Sequence, residues 1–189
     1  MPTLVITGAS TGIGAATAKQ AAQAGWDVAL AARSEDKLKK LAEEIGEEHA
    51  LVARCDVTEW GDQQRLVAET IDRFGGIDAV FANAGFGAKR GFLEEDPDQW
   101  RSMVLTNVLG PELTIRAVLP HFLERDAGHV VITSSEAGRK RASKVIVGST
   151  VPTTAFSGMT SSRADPRGMP AVSVSVRGTR ARRTSRAAT

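Results

Sequence analysis

The chain has 189 residues, 42% of them hydrophobic, which is enough for one domain with a substantial buried core. Its net charge is +2, and its single cysteine excludes an internal disulfide and suits a reducing compartment, so the expected address is the cytoplasm. No apolar run approaches bilayer-spanning length. The opening Met-Pro-Thr-Leu-Val-Ile has no basic flank before a long apolar stretch, so it reads as a strand, and no membrane partner is expected.

Short apolar runs then alternate with helix-period segments, the pattern of βαβ units around a parallel sheet. Leu4-Val5-Ile6 is the first strand, followed by an alanine-rich helix over Ile13 to Ala24 that Gly25 terminates. Residues 28–32 form a second strand. Ser34 is placed to cap a helix with Leu38, Leu41, Ala42 and Ile45 at helical spacing, stopped by Gly46. Ala50 to Ala53 is a third strand, and Glu59 to Phe74 a helix with a Leu66, Val67, Ile71, Phe74 stripe. After a fourth strand at residues 79–82 come two helices, Pro97–Val108 and Pro111–Glu124, each with proline near its first turn. His129 to Thr133 is the fifth strand. The lone Cys55 reads as a small buried packer.

Beyond Gly138 the grammar changes. Residues 139–189 hold 11 of the 24 Lys and Arg against one acid, Asp165, a net +10, while the first 138 residues carry −8. Val145-Ile146-Val147 could make a stub of strand, and Val172 to Val176 alternates with serine. The rest is Ser, Thr, Pro, Gly, Ala and Arg with no apolar stripe. The expected organisation is a domain at 1–143, a Rossmann-like doubly wound parallel sheet of the α/β class, incomplete at its C-terminal side. An irregular basic tail at 144–189 follows it. A shifted reading frame after about residue 143 would explain the change of composition.

The segment Thr7, Gly8, Ala9, Ser10, Thr11, Gly12, Ile13, Gly14 follows a strand and opens a helix, the setting in which a glycine pattern marks a diphosphate cradle. The glycines permit a tight turn and a close backbone approach, and the helix supplies free N–H groups and the positive end of its dipole. Ser10 and Thr11 add hydroxyl donors. At the end of the second strand stands Arg33, a planar fork suited to a 2′-phosphate, with no acid before Glu35. NADP is therefore expected rather than NAD.

The spacing Gly-x-x-x-Gly-x-Gly resembles that of the short-chain dehydrogenase/reductase family, and four further segments match its motifs in order and separation. Asp56-Val57 resembles the pair whose acid contacts the adenine ring. Asn83-Ala84-Gly85 resembles the element that braces the sheet beside the cofactor. Asn107-Val108-Leu109-Gly110 is similar to the Asn-x-x-Gly of the long helix, and residues 133–138 to the serine motif after the fifth strand. The resemblance implies hydride transfer between NADP and a small alcohol or carbonyl substrate. Ser135 would polarise the substrate oxygen and Asn107 would organise a proton-relaying water. It also implies dimers or tetramers through long helices flanking the sheet.

The family's proton donor is a tyrosine, an unperturbed phenol of pKa about 10 that a lysine four residues later makes more acidic. This chain contains no tyrosine. The resemblance places that pair near residues 148 and 152, where the chain has Gly148 and Pro152. The reading is thus an oxidoreductase by ancestry, truncated and inactive as it stands. The alternative is a non-catalytic dinucleotide-binding module or partner subunit. Nucleic-acid binding by the basic tail is disfavoured, because Arg177, Arg180, Arg182, Arg183 and Arg186 have no interleaved aromatics. No metal site is expected.

Overall fold

The structure, a computed structural model, describes residues 1–88, 91 and 93–134 and the backbone of 171–176. Strands β1 (Thr3–Thr7), β2 (Asp27–Ala32), β3 (Ala50–Arg54), β4 (Ala79–Ala82) and β5 (Gly128–Thr133) run parallel. A sixth, β6 (Ala171–Val176), pairs antiparallel with β5, and the sheet order is β3-β2-β1-β4-β5-β6. Strand order reverses between β1 and β4, the switch point at which open α/β sheets bind their ligands.

Helices α1 (Gly12–Gln23) and α2 (Glu35–Ile45) lie on one face of the sheet; α3 (Trp60–Phe74) and α5 (Gly110–Arg125) cover the other. β1, β2 and β4 are buried on both faces, so they read as near-continuous apolar runs rather than alternating ones. β2, Asp-Val-Ala-Leu-Ala-Ala, is buried at all six positions. Within it Ala29 and Ala31 join Leu66, Val118 and Phe122 in one core, while Val28 and Leu30 join Ala18, Leu38 and Leu41 in the other. Gly25, Gly46 and Gly75 end their helices at positive φ, as the sequence leads one to expect for the first two.

Two expectations need correction. The segments read as separate helices, Pro97–Val108 and Pro111–Glu124, are joined: α4 (Pro97–Val104) passes through a π-helical turn at Leu105–Leu109 directly into α5. The cause is Pro111, which has no N–H to return to the carbonyl of Asn107 four residues back. The ladder widens there, and the Gly110 N–H reaches the Leu105 carbonyl instead. Second, the stretch read as an irregular tail contains β6. Its Val-Ser alternation has the period of a strand, and an antiparallel partner on β5 realises it.

Candidate functional site

The carboxyl ends of β1, β2, β4 and β5, with the turn after β3, open into one cleft of about 1090 Å³. The glycine turn after β1 forms its floor. Gly8, Ser10, Thr11, Gly12 and Ile13 line it, whereas Thr7 and Gly14 lie beneath, both buried.

Thr7 ties the floor to its neighbours. Its Oγ1 accepts the N–H of Asn83 at 3.0 Å and of Ala84 at 3.2 Å, drawing the turn after β4 against the end of β1. The Asn83 carboxamide donates through Nδ2 to the Thr7 carbonyl at 3.2 Å and accepts through Oδ1 from the Thr133 hydroxyl at 2.9 Å. Three strand ends are thereby fixed by three side chains, those of Thr7, Asn83 and Thr133. Gly14 is required by the closeness that results: a Cβ there would overlap the Gly8 carbonyl and stand 2.8 Å from Asn83 Nδ2. Gly12 is required for a different reason. Its φ is +58°, and a Cβ would meet no protein atom within 4 Å, so the space before it is open to a ligand. Thr11, the N-cap of α1, makes no side-chain capping bond. The helix N-terminus therefore keeps donors for an anion.

Arg33 and Ser34 line the cleft beyond β2, both exposed. Among the described residues Arg33 makes no ion pair or hydrogen bond. Ser34 is the N-cap of α2 as expected, but its hydroxyl makes no capping bond. Asp56 and Val57 line the wall after β3. Part of the Asp56 carboxylate is engaged locally: Oδ1 accepts the Thr58 N–H at 3.0 Å and its hydroxyl at 2.8 Å. The Asp56 N–H donates to Asp62, and that bond, with Arg65, holds the Asp62 carboxyl below its ordinary range. Neighbouring Cys55 is 2% exposed, and burial pushes its thiol up to about 12. It is a packing residue, not a nucleophile.

Asn83, Ala84, Gly85 and Asn107 also line the cleft. Asn107 sits in the π turn and spends its carboxamide on the backbone of Phe86, accepting its N–H at 3.0 Å and donating to its carbonyl at 2.7 Å. π turns of a single bulge are frequent at functional sites because they displace one residue from the helical ladder. Ser135 lies outside the described residues, although Thr133 and Ser134 before it line the cleft. The site thus brings together every predicted residue among those described, with Thr7 and Gly14 supporting it from below.

Gln63 has no sequence signal of its own. It is fully buried on α3, where its Nε2 donates to the Val57 carbonyl at 3.1 Å and to Thr114 Oγ1 at 2.9 Å. It fixes the wall after β3 to α5, and a Cβ on Gly110 would press into Val57 at 2.7 Å. Among the described residues no cluster of His, Cys, Asp or Glu is placed to hold a metal, and no helix is long and apolar enough to cross a membrane.

Comparison with known proteins agrees with this arrangement. The family profile described as short chain dehydrogenase matches residues 2–175. An uncharacterized oxidoreductase of Listeria monocytogenes is 41% identical over 139 residues, 72% of this chain and 56% of its own. The alcohol dehydrogenase of the archaeon Thermococcus sibiricus, complexed with 5-hydroxy-NADP, superposes with a TM-score of 0.69 at 33% identity, covering 78% of this chain and 63% of its own. The 3-ketoacyl-(acyl-carrier-protein) reductase of Brucella melitensis, complexed with NADH, gives a TM-score of 0.64 at 32% identity over 66% of this chain and 52% of its own. The chain spans a little over half the length of the curated relatives it matches. Profile, relatives and folds converge, and the chain belongs to the short-chain dehydrogenase/reductase family of oxidoreductases.

Proposed function

We propose that this chain binds NADP in the cleft and is by descent an oxidoreductase acting on alcohol or carbonyl groups, truncated and inactive as it stands because its proton-transfer pair is missing. Solved relatives carry cofactors of either kind, so the choice rests on this chain's own residues. The observation that carries it is Arg33, a guanidinium at the end of β2 that faces the cleft and has no partner among the described residues. A planar fork there suits a 2′-phosphate, and an acid at that point would have suited the ribose hydroxyls of NAD.

The remaining residues fit the same ligand. Ser10, Thr11, Gly12 and Ile13 with the α1 N-terminus hold the diphosphate; Gly8 and Gly14 shape the turn under it. Asp56 and Val57 bound the adenine, with the Asp56 oxygen not held by Thr58 available to it. Asn83, Ala84 and Gly85 border the nicotinamide end. When bound to a catalytically complete member of this family, NADPH would supply hydride to a carbonyl carbon. Ser135 would polarise the oxygen of a small carbonyl or alcohol, and Asn107 clamps the Phe86 turn at the wall of the cleft. No tyrosine exists anywhere in the 189 residues to exchange the proton. An aliphatic hydroxyl is far less acidic than a phenol and does not replace one readily.

The organisation proposed is a cofactor domain at 1–143 followed by a basic segment, in a cytoplasmic protein. A shifted frame near residue 143 accounts for the loss of tyrosine and the change of charge, although the family match running on to residue 175 weighs against it. Reading the source gene across codons 138–155 tests that point. The absence of tyrosine favours a second reading, a dinucleotide-binding partner subunit without catalysis. Titration with NADPH followed by a carbonyl-dependent oxidation assay tests both. Saturable binding with negligible turnover is expected. Robust turnover that survives Ser135→Ala would overturn the catalytic assignment.

A further inference from the structure

We infer that Lys39 is a specificity residue for the phosphorylated cofactor, because it holds the Glu35 carboxylate one turn along α2 and leaves Arg33 without a counter-charge. The inference rests on the reading that Arg33 takes the 2′-phosphate.

The first acid after Arg33 along the chain is Glu35, which opens α2. An acid in a first helical turn is favoured by the helix dipole, so local stability selects for it there. For a phosphate site the same acid is unfavourable: it can neutralise Arg33 and repel the incoming dianion. In the structure Glu35 Oε1 lies 2.8 Å from Lys39 Nζ, an i,i+4 pair in the favourable Glu-before-Lys order. The partner is one turn further from the β2 end, so the carboxylate is drawn along the helix instead of back toward Arg33.

The charge pattern supports the same division of roles. The hydrogen bond from Lys39 and then its charge hold Glu35 below the ordinary carboxylate range, and Arg54 adds to this. Arg54 closes β3 opposite Ala32, the residue before Arg33. Lys39 is itself held above its ordinary range by Glu35 first, with a smaller contribution from the charge of Asp36. Arg33 takes part in none of these pairs among the described residues.

The test uses the full chain and cofactor-fluorescence titrations with NADPH and NADH. Lys39→Met should weaken NADPH binding roughly threefold at low ionic strength and leave NADH unchanged, with the difference gone near about 1 M salt. Glu35→Gln/Lys39→Met should restore NADPH affinity. Lys40→Met, which removes a like charge from the same helix, should leave it unchanged. Equal NADPH affinity for Lys39→Met and wild type overturns the inference. So does an equal loss in Lys40→Met, or a double variant that stays weak. If wild type binds no NADPH, the Arg33 reading falls first and the inference with it. If wild type discriminates for NADPH but ignores Lys39, only the inference falls.

Discussion

Both hydrogen bonds of the Asn107 carboxamide go to one residue: Oδ1 accepts the Phe86 N–H at 3.0 Å and Nδ2 donates to the Phe86 carbonyl at 2.7 Å. A helix is thereby clamped to the turn after β4, and both members line the cleft. Asn107→Ala removes the clamp and leaves two backbone groups to be satisfied by water. It should cost about 1–2 kcal/mol in urea unfolding and weaken NADPH binding. Asn107→Asp keeps the acceptor but faces the Phe86 carbonyl with an oxygen, and should bind no better than the alanine variant. Full affinity in both variants would show that the clamp does not shape the site.

The two glycines of the turn should fail differently. Gly14→Ala drives a methyl into the Gly8 carbonyl and Asn83, so a loss of about 1–3 kcal/mol in folding stability is expected. Gly12→Ala meets open space but forces a side chain to φ +58°, at about 1–2 kcal/mol, and places its methyl in the cleft. Gly12→Ala should therefore lose more cofactor affinity than stability, and Gly14→Ala both. Denaturant midpoints read beside NADPH titrations separate the two.

His121 makes stability depend on pH at the opposite end of the sheet. Its Nε2 accepts the Ile77 N–H at 3.0 Å, with Arg125 Nη1 3.3 Å away and Arg125 bonded in turn to Ile77 O and Asp78. Burial first and Arg125 second hold the imidazole below its ordinary range, against smaller opposing effects of Glu124 and Asp78. A base whose folded pKa is depressed contributes stability that is whole above its unfolded value, about 6.5, and is lost as pH falls through the folded value. Urea midpoints should drop between pH 7.5 and 5.5. His121→Gln should flatten that drop, and an unchanged slope would remove His121 as its source.

Cys55 should be silent to thiol reagents in the native protein. It is 2% exposed with its thiol raised to about 12, so almost no thiolate exists near neutrality. Labelling by a chromogenic disulfide should follow the unfolding curve. Rapid labelling without denaturant would contradict the packing described here.

Where sequence sufficed, the signal was local. The run Thr7 to Gly14 could be read because strand, glycines and helix follow one another directly, and the buried strands because residues 4–6 of β1 and 28–32 of β2 are unbroken apolar runs. Where it did not suffice, contacts distant in the chain decide. Gln63 resembles any polar residue of an amphipathic helix, and only the approach of Thr114, 51 positions away, makes it a buried bridge. Asp56 matched a motif, but its bonds to Thr58 could be seen only once the turn was built. The joining of α4 to α5 turned on Pro111, which as readily begins a new helix as widens an existing one. The Val-Ser alternation at 172–176 was visible, but the direction in which it pairs depends on β5.

The proposed cleft is a cofactor cradle selective for the phosphorylated dinucleotide, in a chain without the tyrosine that would use it. Its most direct test is a fluorescence titration of the purified chain and of Arg33→Ser with NADPH and NADH. The chain should bind NADPH saturably, one to one. In Arg33→Ser, affinity for NADPH should fall by about tenfold, the weight of a charge-assisted contact, while NADH is unaffected. NADPH fluorescence unchanged by stoichiometric protein, or equal affinities for the two cofactors in both proteins, would contradict it.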